Sequence, residues 1–429
     1  MSYLSCFLYF CPPNMNYKSI RMQRYTFSKI TGLLIIFSLF IVSKESKAQI
    51  TTKSDFATVT SANVKVGAEH TEQYVSLLKG KKVAVVANQT SLVGKKPLVD
   101  TLVSLGISVV KILAPEHGYY GAGDAGATVG NDKTQQGVKI ISLYGDHNKP
   151  TAEDLDGVDV VVYDIQDVGV RFFTYVSTLH LVMEACAETH KPLIVLDRPD
   201  PNGYYVDGPV LESSFKSFSG MDPVPVVYGM TVAEYAKMLN GEHWLKDGEQ
   251  CTLTCISVTG YTHKDLYELP VKPSPNLPDM ASVYLYPTLA LFEGTVISVG
   301  RGTDKPFQVI GNPLLKTTPY SFTPQSVAGA QHPPFEGEKC NGYDLSNFGS
   351  IMIKNYQKLY LFWLKGTYKD YPDKATFFNA YFKNLAGTDA LQKQIEQGFT
   401  EDEIRKSWEP ALNTFSKIRK RYLLYKDFQ

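Results

Sequence analysis

From residue 71 to about 208 the chain repeats one pattern: an unbroken apolar run, a polar turn, then a stretch with helical spacing. The runs KVAVVAN (82–88), ISVVKILA (107–114), KIISLYG (139–145), VDVVVYDIQD (158–167) and PLIVLDRPDP (192–201) show almost no polar alternation. That is what parallel strands covered on both faces require. Segments 71–80, 94–105 and 175–190 read as helices between them. Such alternation implies right-handed crossovers and an α/β, doubly wound, mostly parallel sheet. Beyond residue 209 the texture changes. Thr231 and Glu234 form a capping box that opens an amphipathic helix to about Trp244. CTLTCISVTGY, a proline-studded 270–279, and strands alternating with turns over 286–313 come next, and a helix from Thr400 to Tyr425 closes the chain.

The residues just past each strand carry the chemistry. Asn88 ends the first run, Glu116 and His117 the second, Asp164, Gln166 and Asp167 with Arg171 the fourth, and Asp197, Arg198 and Asn202 the fifth. In open α/β sheets ligands bind at the carboxyl ends of the strands, so these residues are expected to converge on one cleft. Glu116 stands out, because an apolar run stops at Pro115 and a glycine-dense loop to Gly130 comes directly after it. Gly121, Gly123 and Gly126 fit G-x-G-x-x-G, with Asp146 twenty residues beyond. The context fails: six residues separate strand from first glycine, and no helix is predicted at the last, so the pyrophosphate seat of a dinucleotide site is missing. Further on, Arg301 between Gly300 and Gly302 suits an anion, and Glu293 is a second exposed carboxylate. His180 falls inside a predicted helix and reads as structural.

The ~380 residues beyond residue 48 exceed what one core usually organises, so two domains are expected, 71–225 and 226–429, after a linker at 49–70. Basic and acidic residues balance at 43 each, which argues against nucleic acid or a polybasic membrane surface as partner. Cys251 and Cys255 would lie ~13 Å apart along a strand, too far to bridge, and no C-x-x-C pair suggests zinc. No metal or cofactor is expected. Before the fold, Arg21, Arg24 and Lys29 precede the apolar run Leu33 to Val42, and Ser46-Lys-Ala48 gives a small-residue cleavage pattern. This is a secretory signal, with Met22 a more ordinary start than Met1, and the mature protein is expected in a periplasm or outside the cell, without a lipid anchor.

The ordered motifs PEHG, DIQDVGVRFFTYVSTL, LDRPDPNG, GMTVAEYA, SPNLP, YPTLALFEG, VGRGTDKPFQ and WEPALNTFSKIRKRYLLY resemble the exo-β-N-acetylmuramidases of bacterial cell-wall recycling. The resemblance runs from about Gln73 to Tyr425. It implies a Rossmann-like domain and a smaller α+β C-terminal domain with the cleft between them. It also implies release of N-acetylmuramic acid from non-reducing ends of peptidoglycan fragments, and the glutamate of PEHG, Glu116, as the catalytic one. Glycosidic cleavage needs a carboxylic acid at the leaving oxygen and usually a second carboxylate. Asp167, Asp164, Asp124 and Glu293 all qualify as the second, so the stereochemical course stays open. Asn88, His117, Asp164, Gln166, Arg171, Arg198, Asn202 and Arg301 are the expected substrate-binding residues, and the three arginines are those able to meet the lactyl carboxylate. A non-catalytic muropeptide-binding protein on the same scaffold is the alternative, and an NAD-dependent enzyme a third.

Overall fold

In the computed structural model, residues 57–429 are described, except 128, 135, 136, 317 and 353–355; the expected export signal lies outside the described residues. The apolar runs form a seven-stranded sheet. Its strands are β1 (Lys82–Ala87), β2 (Ser108–Ala114), β3 (Asp132–Lys133), β4 (Lys139–Ser142), β5 (Val160–Asp164), β6 (Leu193–Leu196) and β7 (Leu253–Ile256). The order is β7-β6-β5-β1-β2-β4-β3, parallel throughout except for the β3–β4 edge. Successive side chains alternate between two cores. Val83, Val85, Val160 and Val162 pack with helices Thr71–Leu78 and Leu98–Ser104, while Ala84, Val86, Val161 and Tyr163 pack with helix Tyr175–Glu188 and the C-terminal half. Because both faces are covered, the strands carry no polar alternation.

The sheet does not stop at the expected boundary. Strand β7, from CTLTCIS, pairs in parallel with β6, so the sheet draws an edge strand from beyond residue 225. Residues 57–70, expected as a linker, are built in: Ala57–Val59 pairs with Asp265–Tyr267, and the Gly67 N–H donates to Asp197 O at 2.8 Å. The described residues belong to one compact unit.

The C-terminal half holds a three-stranded antiparallel sheet, Val309–Asn312, Cys340–Asp344 and Tyr320–Phe322, with the edge strands flanking Cys340–Asp344. The predicted capping box is present, with helix Val232–Gly241 opening at Thr231, and the last helix spans Glu401–Arg419. One expectation fails. Residues 286–294, expected to begin a run of strands and turns, belong instead to helix Met280–Leu289 and a 3-10 turn, Ala290–Gly294. Asp279 caps the helix through Ser282 N–H at 3.0 Å. Most of its residues are buried, so it has no polar face to print a 3.6-residue period.

Candidate active site

Strand β2 ends at Ala114 and delivers Glu116 to the carboxyl edge of the sheet. The carboxylate accepts from the Gly126 N–H, 3.0 Å from Oε1, and from the Thr174 hydroxyl, 2.6 Å from Oε2. Thr174 occupies the N-cap of helix Tyr175–Glu188, where a threonine usually bonds the helix's own N–H groups. Here no such bond forms and the hydroxyl goes to Glu116 instead. Tyr144, just beyond β4, also hydrogen-bonds Glu116; burial first, then the glutamate's charge, pushes its phenol well up, so it stays protonated.

His117 organises the glycine loop. Its backbone is left-handed, φ 69°, and it donates Nδ1–H to Gly123 O at 2.7 Å. Nε2 is then the acceptor, 3.3 Å from the Ser274 hydroxyl. Burial lowers its pKa against the pull of Glu116, so the ring is neutral. A Cβ on Gly123 would meet Val129 Cγ2 at 2.6 Å and His117 Cα at 3.2 Å, so the loop closes only over glycine. The loop runs in turns, and the described residues after Gly126 open no helix, so the geometry of a dinucleotide fingerprint is absent there.

Across a cavity of about 330 Å³ stand Glu293 and Arg301. Arg301 Nε donates to Glu293 Oε1 at 2.7 Å, and its guanidinium sits 4.9 Å from the Phe307 ring centroid. Burial opposes the arginine's charge, but Glu293 outweighs it and raises the pKa. Phe173, Tyr286 and Phe307 form an edge-to-face series beside them, centroids 5.7 and 4.9 Å apart. Tyr381 closes one side, its hydroxyl 2.7 Å from that of Ser219. Among the described residues no His, Cys, Asp or Glu cluster could hold a metal, and no helix is long and apolar enough to cross a membrane.

Of the residues expected to form the site, Glu116, His117, Glu293 and Arg301 line this cavity. The others do not. Asp164 is fully buried in a bidentate pair with Arg198, Nε–Oδ1 2.6 Å and Nη2–Oδ2 2.9 Å. Arg171 donates to the carbonyls of Pro209, Val224 and Leu385, tying the two halves together. Asp167 accepts from the Tyr228 hydroxyl and the Gly169 N–H, and burial raises its pKa to about 6. Gln166 and Asn202 donate to backbone carbonyls, and Asn88 accepts from Thr90. Asp124 lines an adjoining compartment. His180 is structural as expected, an ion-pair partner of Asp222 and Glu184. Thr174, Tyr144 and the aromatic wall were missed as site residues, although RFFT, YPT and KPF lie inside the motifs that carried the resemblance.

The family model described as exo-beta-N-acetylmuramidase NamZ, N-terminal, matches residues 83–281, and the C-terminal model matches 284–425. Glu116 falls in the first and Glu293 with Arg301 in the second, so the cavity joins both. The chain is 36% identical to the peptidoglycan beta-N-acetylmuramidase NamZ of Bacillus subtilis (strain 168), over 94% of this chain and 100% of that protein. Crystal structures of two DUF1343 family proteins from Bacteroides fragilis NCTC 9343 are similar, with TM-scores of 0.79 and 0.72 at 43% and 27% identity. Each match covers 85% of this chain and 99% of the other.

Proposed function

The chain belongs to the exo-beta-N-acetylmuramidase NamZ family, and on that premise we propose that it is a glycosidase acting on peptidoglycan-derived saccharides, releasing N-acetylmuramic acid from their non-reducing ends. Glu116 gives its proton to the leaving glycosidic oxygen as the bond to the anomeric carbon breaks, and water supplies the new hydroxyl. The observation that carries this is the setting of Glu116: a carboxyl group at a strand end, held by Gly126 and Thr174, lining a cavity of about 330 Å³. Fixing both oxygens leaves the group one orientation toward a bound sugar, which is what proton transfer in a transition state demands.

Glu293 is the other carboxylate lining the cavity and takes the second role, toward the positive charge that develops at the anomeric carbon. The rings of Phe173, Tyr286 and Phe307 offer apolar surface to a pyranose face. His117 and Ser274 offer a neutral acceptor and a hydroxyl for sugar polar groups. The apolar run Leu33 to Val42 and the small-residue pattern ending at Ala48 favour export, which would put the enzyme where cell-wall fragments are. Mature protein should then begin near Gln49 on N-terminal sequencing; an intact leader on soluble cytoplasmic protein would contradict export.

The test is release of a chromophore from an aryl β-N-acetylmuramide by purified protein, with and without NAD. Release independent of NAD is the expected result. Tight binding of muropeptides without release would make the protein a binder on the same scaffold, and release only with NAD would require a redox route.

A further inference from the structure

We propose that a side compartment beside Arg301 receives the 3-O-lactyl arm of N-acetylmuramic acid, with the arginine's unpaired Nη1–H holding the lactyl carboxylate; this rests on the reading of the chain as a muramidase. The compartment, about 300 Å³, lies between residues 124–127 of the glycine loop and residues 329–334. It shares Ala125, Gly126 and Arg301 with the catalytic cavity, so the two spaces adjoin at the loop whose Gly126 N–H holds Glu116. On this proposal, a sugar with its glycosidic oxygen at Glu116 extends its C3 substituent past Arg301 into this opening.

Arg301 supplies the recognition. Its side chain is only 17% exposed; Nε is engaged by Glu293, yet Nη1 is buried and donates to nothing among the described residues. A buried guanidinium N–H without an acceptor is costly, and a ligand that brings an anionic acceptor removes that cost. The lactyl carboxylate is such a group, and it is what distinguishes N-acetylmuramic acid from N-acetylglucosamine. Asp124 faces the same compartment. Its Oδ2 accepts the Gln331 N–H at 3.0 Å, joining the two walls, while Oδ1 is buried and unpaired and is matched by a sugar hydroxyl rather than by the lactyl group. Of the three arginines able in principle to meet the carboxylate, Arg171 and Arg198 are engaged inside the protein. Arg301 alone of the three lines the cavity.

The experiment compares kcat/KM of the full chain on an aryl β-N-acetylmuramide, its lactyl methyl ester and the matching β-N-acetylglucosaminide. Wild type should prefer the free acid over both others by roughly 10- to 100-fold, the size of one charge-assisted hydrogen bond. Arg301→Lys keeps a cation for Glu293 but loses the planar fork that offers a separate N–H to a second acceptor. Gln331→Trp, at an exposed position, narrows the compartment without touching the arginine. Both should collapse the preference toward one, and the second variant decides if the first fails to fold. A preference unchanged in both variants overturns the proposal while leaving the muramidase reading intact. Failure of wild type to cleave any of the three sugars defeats that reading itself.

Discussion

Two sets of acids end strands at the same edge of one sheet, with opposite fates. Glu116, after β2, opens into the cavity. Asp164, ending β5, and Asp197, just past β6, are fully buried, and Asp167 is nearly so. All are carboxylic acids, and strand position does not separate them. The next segment of chain does. After Glu116 come the buried His117 and Gly118 and then a glycine-rich run, residues 119–127, that is half-buried or exposed. After Asp164 come Ile165, Val168, Val170 and Phe172, and after Asp197 come Tyr204 and Tyr205, all members of the main core. Those apolar residues fold the chain back over its own acids. The covered acids are then satisfied from within, Asp164 by Arg198, Asp167 by Tyr228 and Asp197 by Thr231 and Tyr425. Here the acid left open to the cavity is the one whose following loop does not fold back over it.

That contrast can be broken or sharpened by substitution and by pH. Glu116→Gln should lower turnover of a disaccharide by roughly 10²–10⁴-fold, with a thermal midpoint close to wild type, because an isosteric change in an open loop leaves no cavity. Arg198→Met should do the reverse. It strands Asp164 without its partner, a loss of about 3–5 kcal/mol, visible as a lower denaturant midpoint while the folded fraction keeps its kcat.

The next effect is on pH. Burial disfavours a charged His180, but Asp222 and Glu184 outweigh it and raise its pKa to about 9. The stabilisation is fully present below about pH 6.5 and is lost as pH rises through about 9, amounting to up to about 3 kcal/mol. The melting temperature should fall across that window, and His180→Asn should flatten the slope. Asp167, raised by burial, acts in the same direction at lower pH, between about 4 and about 6. The smallest effect is Thr174→Val, which removes one donor from Glu116. It should cost about tenfold in kcat with little change in KM, and Thr174→Ser should restore most of it.

The sheet was legible in the sequence because two-sided burial writes long apolar runs, and the threonines at Thr231 and Thr400 marked the starts of two helices to the residue. Helix Met280–Leu289 was not, since burial on all sides erases its period. The site was half legible. Glu116, His117, Glu293 and Arg301 stood beside glycines, which signal a chain that approaches something closely. Asp167, Arg171 and Arg198 looked equally chemical, and nothing local in a sequence says that an arginine will find three carbonyls inside the fold. Thr174 was hidden because it reads as an ordinary helix cap, and only the fold reveals that its hydroxyl is turned to Glu116. Cys186 and Cys251 are likewise far apart in sequence yet in contact, and the hydrogen bond from Cys251, with burial, pushes the Cys186 thiol well up.

The central claim is that Glu116 is the proton donor at the leaving oxygen. It is tested by measuring Glu116→Gln against wild type on two substrates that differ only in the leaving group, a sugar and an aryl group of low pKa. A sugar alkoxide cannot depart without the proton, whereas the aryl oxide can. The account predicts a loss of at least about 10²-fold on the disaccharide and a much smaller loss on the aryl muramide. Near-wild-type turnover of the disaccharide, or equally deep losses on both, would contradict it.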